Sequence, residues 1–327
     1  MSIIHNTTEG IQQSSYIKDS SSYPRDLIGY GPNPPNLNWP NGAKIAVQFV
    51  LNYEEGGENT ILNGDLGSET HLTETPGNPS QIGVRDLSTE SCFEYGSRAG
   101  VYRVLNAFKE RGYHLTVYAV GKALELNPEI GRIFVEGGHE VASHHYRWIN
   151  YANTNEYVER DQIRKAVEAI KNSTGSAPVG WYTGRQSGHH RQILLEEFDK
   201  LGLQLKYDSD AYNDDLPYYV QVNNKPHLVI PYTLDVNDMK FGNYPGISTA
   251  DDYFAVLKSA FDTLYEEGEK GSPKMFSIGM HCRIIGRPGR FQGLKKFLDY
   301  ISTFDGVWVA KREEIADHWL KTFPAKN

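Results

Sequence analysis

The sequence predicts an α/β protein folded as one closed or nearly closed barrel. Short apolar runs rich in β-branched residues alternate with amphipathic segments seven or eight times, and no internal repeat or linker interrupts the series. Across 327 residues, 39% hydrophobic and 12% aromatic content suits a packed core rather than a disordered chain. In such barrels the side chains that end the strands at their C-terminal side face the active site, so the order of strands also selects the residues to weigh.

The first element is a buried strand over Lys44 to Tyr53, a mostly apolar run that reads as covered on both faces. A Gly-rich stretch to Gly83 follows, long and polar enough to form an active-site loop. Ser97 to Arg111 predicts a helix, with Val101, Val104, Leu105 and Phe108 on one face and Gly112 as its stop. Leu115 to Val120 and Glu140 to Ser143 are the next strands. Glu156 to Lys171 is a helix, Val179 to Tyr182 a strand, Arg191 to Leu201 a helix and Leu205 to Tyr207 a strand. Three more strands are read at His227 to Leu234, Met275 to Met280 and Val307 to Ala310, with helices starting near Asp251, Arg290 and Arg312.

Residues 1–22 are polar and Ser/Thr-rich and predict a flexible tail, with order beginning near Tyr23 and one barrel domain over 23–327. The tail has no apolar core suited to a signal peptide, and no later run is long enough to span a bilayer, so the expectation is a soluble cytoplasmic protein. A net charge of −8 without a basic run argues against a nucleic-acid partner. Cys92 and Cys282 are read as buried free thiols.

Each polar group at a strand end has a bland reading beside the chemical one. Glu54 and Glu55 could be a solvated loop edge, yet two carboxylates where a buried strand opens into Gly56-Gly57 are well placed for acid–base work. Of the three histidines in Gly137 to His145, His139 reads as a structural turn residue and His144 as the functional one, because histidine titrates near neutrality. If the segment is extended, His145 points to the opposite face from His144. His281, directly after an apolar strand, is weighed like His144. The acidic run Asp208 to Asp215 reads as a solvated loop in which one member orients a partner. Arg283, Arg287 and Arg290 either bind an anionic or oxygen-rich ligand or salt-bridge that acidic loop. No Gly-x-Ser-x-Gly elbow and no P-loop is present, which disfavours a serine hydrolase and a nucleotide-dependent enzyme.

The order of strand and acidic pair, Gly138-His-Glu-x-x-x-His144, Pro178-x-x-Trp181, an Asp-rich segment and a strand ending in His281 resembles the polysaccharide-deacetylase (NodB-homology) superfamily over roughly residues 44–309. The resemblance implies a distorted (β/α) barrel that hydrolyses C–N bonds other than peptide bonds. Members usually place an aspartate pair after the first strand and two metal-binding histidines four apart. Here the pair is Glu54-Glu55, the position four after His144 is Trp148, and Trp181-Tyr182-Thr183-Gly184 stands where an arginine is expected, with Arg185 close behind.

That altered set resembles the cofactor-independent allantoinase branch, as do Asn52-Tyr-Glu-Glu-Gly-Gly-Glu58, Ser143-His-His-Tyr-Arg-Trp148 and Gly180-Trp-Tyr-Thr-Gly-Arg185. It implies opening of the hydantoin ring of allantoin to allantoate, within purine catabolism, by a homo-oligomer, a homotetramer. The catalytic residues expected are Glu54, Glu55, His144 and His281. Trp148, Trp181, Tyr182, Arg185, Asp208, Asp235 and Arg283 are expected to bind or orient substrate. No cofactor is expected to be required, the alternative being weak zinc binding by Glu55 and His144, since a catalytic zinc normally has three protein ligands. The rival readings are an N-deacetylase of chitin oligomers and a non-catalytic ligand-binding relative.

Overall fold

The structure, a computed structural model, describes residues 25–243 and 246–325. The expected tail at 1–22 and the onset of order near Tyr23 lie outside the described residues.

Among the described residues there are nine strands, β1 (Ile45–Tyr53), β2 (Thr116–Ala119), β3 (Glu140–Ser143), β4 (Gly180–Trp181), β5 (Tyr207–Asp208), β6 (Tyr218–Val222), β7 (Lys225–Val229), β8 (Lys274–His281) and β9 (Val307–Val309). They form one curled sheet in the order β6-β7-β5-β4-β3-β2-β1-β8, with β9 beside the first half of β1. Every pairing is parallel except the β6–β7 hairpin. A parallel bridge between Asn237 and Gly279 links the chain after β7 to β8, so the curl nearly closes on itself. The barrel predicted from the sequence is the barrel found.

Alternation along the strands sorts the side chains. Ile45, Val47, Phe49, Leu51 and Tyr53 of β1 pack outward into the main hydrophobic core with the helices. Val50 faces inward to Tyr118, Ala142, Tyr182 and Tyr232, and Asn52 donates to the Tyr232 hydroxyl at 3.0 Å. Arg312, fully buried, fills the lower barrel, donating to Gln48 (2.9 Å), Ser277 (2.8 Å) and Ser209 (3.0 Å) as well as to the Ile230 carbonyl. A polar interior is tolerable here because the guanidinium and its partners satisfy one another.

Several elements differ from the sequence reading. The helix expected from Ser97 begins at α1 (Leu87–Tyr95), where Asp86 caps it through the Ser88 and Thr89 N–H groups. It passes through a π-turn at Gly96–Gly100 into α2 (Val101–Lys109). Two helices that periodicity did not reveal, Gly121–Leu126 and Pro128–Glu136, follow β2, the second starting at a proline. The hairpin β6–β7 turns at Asn223-Asn224, both left-handed at φ 52° and 59°, a turn that asparagine tolerates. No described helix is long and apolar enough to cross a membrane.

Candidate active site

The inward rows of β1, β3 and β8 end in Glu54, His144 and His281, and that of β4 in Tyr182. These ends converge on a cavity of about 230 Å³ whose walls also include Trp148, Arg185, Asn52, Tyr232 and Asn237. His71 and Leu72, from the long loop after β1, form its rim.

Glu54 is the centre. Its side chain is fully buried, and Oε2 accepts from Arg283 Nη1 at 2.6 Å. Oε1 lies 3.2 Å from His144 Nε2 and 3.4 Å from His281 Nε2. Burial opposes a charge on Glu54, but the Arg283 guanidinium, His281 and the His144 hydrogen bond overcome it and hold the carboxyl well below the usual range. His281 is oriented from behind. Its Nδ1–H donates to Asp238 Oδ1 at 2.6 Å, while Asp238 Oδ2 accepts the His281 and Ile285 N–H groups at 2.7 and 3.0 Å. Burial disfavours the imidazolium, yet Glu54 and Asp238 outweigh it and push the His281 pKa up to about 9. Both His144 nitrogens face oxygen acceptors, Nδ1 the Tyr182 carbonyl at 3.1 Å and Nε2 Glu54 Oε1 at 3.2 Å.

Glu55 has the opposite surroundings. Oε2 accepts the Glu54 N–H at 2.9 Å, and Oε1 has no partner and packs against Gly96 of the π-turn, where a Cβ would collide with it. Burial pushes its carboxyl up to about 7. It does not line the cavity. Trp181 points outward into a separate cluster with Phe198, its indole N–H donating to Thr183 Oγ1 at 2.9 Å. Asp208 is held outside the cavity by Arg191 (2.6 Å) and His227 (2.9 Å). Asp235 is exposed and accepts from the Thr233 hydroxyl at 2.7 Å. Arg283 reaches Glu54 rather than the cavity, and Arg287 and Arg290 pair with Glu74. Thus Glu54, His144, His281, Trp148, Tyr182 and Arg185 come together, and Glu55, Trp181, Asp208 and Asp235 do not.

The sequence reading missed Asp238, His71, Asn52 and Tyr232. Asp238 follows a strand by nine residues, and only its spatial proximity to His281 distinguishes it from other acidic residues of the loop.

A divalent cation is common in the superfamily, so the donor set deserves a test at the equivalent positions. Trp148 offers no lone pair, because an indole nitrogen only donates. Glu54 Oε2 is engaged by Arg283, and Glu55 is turned away. This set fits a metal poorly. Among the described residues, one other group has suitable spacing: His145, Glu159 and His190, all buried, with a ligand atom of each within 4.8 Å of the others. It lies behind the wall formed by Thr183 to Arg185. There His145, at a left-handed φ of 62°, accepts the Tyr146 N–H at Nδ1 (2.9 Å), which places its own hydrogen on Nε2. His190 is held between Glu159 (2.7 Å) and Thr183 Oγ1 (2.6 Å).

The chain is similar to known proteins over most of its length. Residues 85–205 match the polysaccharide deacetylase family model. A Schizosaccharomyces pombe protein named as a polysaccharide deacetylase is 47% identical over 92% of this chain and 98% of its own length. Two solved structures superpose with a TM-score of 0.89 over 93% of this chain. One, from Pseudomonas aeruginosa PAO1 and titled as a polysaccharide deacetylase, is 51% identical and fully covered; the other, Puue allantoinase, is 49% identical and 99% covered. Kinship this close, over nearly the whole length and on the same barrel, makes the chain a member of the polysaccharide deacetylase family, a family of hydrolases that cleave C–N bonds.

Proposed function

We propose that the protein hydrolyses allantoin to allantoate by general acid–base catalysis. One observation carries the reading: a single carboxylate, Glu54, shares Oε1 between two imidazoles at the floor of a half-open cavity of only about 230 Å³. Such a cavity suits one small polar molecule better than a polysaccharide strand. The likeness to Puue allantoinase supports the choice of substrate.

Ring opening requires water to attack the ring amide carbonyl. Glu54 Oε1 takes the water's proton as the new C–O bond forms. Arg185, whose Nε has no partner and whose side chain lines the cavity, faces the developing oxyanion; losing one such donor costs about 3 kcal/mol of transition-state stabilisation. His281 Nε2–H then protonates the departing ring nitrogen as the C–N bond breaks, with Asp238 holding the imidazolium. His144 aligns Glu54. Purine breakdown, a cytoplasmic setting and a homotetramer belong with this reading, and size-exclusion with light scattering tests the last.

The names carried by the S. pombe and P. aeruginosa relatives favour a second reading, N-deacetylation of sugars. Assaying the purified protein on allantoin and on N-acetylglucosamine oligomers separates the two. Acetate release without allantoate would reverse the choice.

A further inference from the structure

Arg283 lies two residues beyond the end of β8 and is 2% exposed. Its guanidinium carbon sits 4.1 Å from the ring centre of Phe93 and 4.9 Å from that of Trp148. Nε donates to the Leu72 carbonyl at 3.3 Å, and Nη1 donates to Glu54 Oε2 at 2.6 Å. Trp148 is itself fixed, with Arg185 4.2 Å from its ring centre and His71 stacked at 5.7 Å.

We propose that Phe93 and Trp148, two rings set at an angle, form an aromatic slot that seats the Arg283 guanidinium against Glu54 Oε2 and so keeps Oε1 on the side of the imidazoles and the cavity. Arg283 and Phe93 are then positioning residues rather than substrate contacts, and Trp148 combines that role with its place in the cavity wall. This deepens the acid–base reading above and rests on it.

The physical case is geometric. A carboxylate can accept from either oxygen, and rotation of Glu54 would exchange them. A planar guanidinium seated in the corner of two rings whose centres lie 5.9 Å apart and whose planes are tilted by 57° cannot readily follow such a rotation, and its carbonyl contact to Leu72 fixes its height. The two imidazoles occupy the other oxygen, so each Oε atom has one defined environment. A fully buried carboxylate without a cation would also be strongly disfavoured. Lysine could supply charge but neither the plane nor the second donor.

The test uses the full-length chain with Arg283→Ala, which empties the slot. On allantoin, kcat falls about 10²-fold while KM changes little, the loss expected when a supporting partner is removed. Methylguanidinium chloride restores turnover saturably, and methylammonium chloride at equal ionic strength does not. Calorimetry reads methylguanidinium binding directly. Arg283→Ala binds it saturably, and Glu54→Gln or Trp148→Ala added to that variant abolishes binding. Should Arg283→Ala not fold, Arg283→Lys keeps the charge and reads the same role, with kcat reduced and KM unchanged. Failure of the wild type to turn over allantoin would remove the substrate reading while leaving the binding test intact. No saturable binding, a rise in KM at constant kcat, or full activity in Arg283→Lys would overturn the slot.

Discussion

Glu54 and Glu55 are consecutive carboxylates on opposite faces of the sheet: Glu54 Oε1 meets two imidazoles inside the barrel, and Glu55 Oε1 packs unpartnered against Gly96 outside it. The difference comes from the two-residue period of β1, which carries the inward row Ala46, Gln48, Val50, Asn52 on to Glu54.

Glu54→Gln keeps the shape but removes the base. Turnover of allantoin falls by about 10²–10⁴-fold. Glu55→Gln, altering a group outside the cavity, leaves turnover within a few-fold. Steady-state kinetics on both variants reads the contrast, and equal losses would place Glu55 in the chemistry.

The same period explains much of what the sequence made legible. His144 continues the inward row of β3, whereas His145, at a left-handed φ of 62°, leaves the strand path and packs against Trp181 and Tyr151 behind it. Applied to β4 it selects Tyr182 over Trp181, and applied to β5 it turns Asp208 away while Ser209 meets Arg312. The barrel and most of its strands were legible because most are short apolar runs with a polar end, whereas β6, half-buried in an antiparallel hairpin, was not. Asp238 and the Phe93–Trp148 slot were not, since both depend on segments far apart in sequence meeting in space. The Arg283 alternatives, ligand or ion pair, needed the coordinates to find Glu54.

His281 must hold its proton to act as the acid. With its pKa pushed up to about 9, kcat/KM should fall on the alkaline side near pH 9. Asp238→Asn moves that limb to lower pH and lowers kcat about 10- to 100-fold, the usual effect of losing an orienting carboxylate. A pH–rate profile of the variant that overlays the wild type would rule out this role for Asp238.

The same group links stability to pH. Its folded pKa lies above the ordinary 6.5, so its contribution is complete below about pH 6.5 and is lost as pH rises through about 9. Thermal melts of the wild type should decline across that window, and His281→Gln should lack that part of the decline.

His190 pairs with Glu159 at 2.7 Å where both are 1% exposed. His190→Ala leaves a buried carboxylate without its partner and costs about 3–5 kcal/mol of stability. Urea unfolding measures the loss, and a change below about 1 kcal/mol would show that water or another group compensates.

The most direct test of the account supplies allantoin and an N-acetylglucosamine tetramer, in separate reactions, to the wild-type protein, with Glu54→Gln as the blank. Each reaction is run with and without prior treatment by a strong chelator. The expected result is allantoate at an unchanged rate after chelation and no acetate from the sugar. Acetate release that chelation stops and zinc restores, with no allantoate formed, would contradict it.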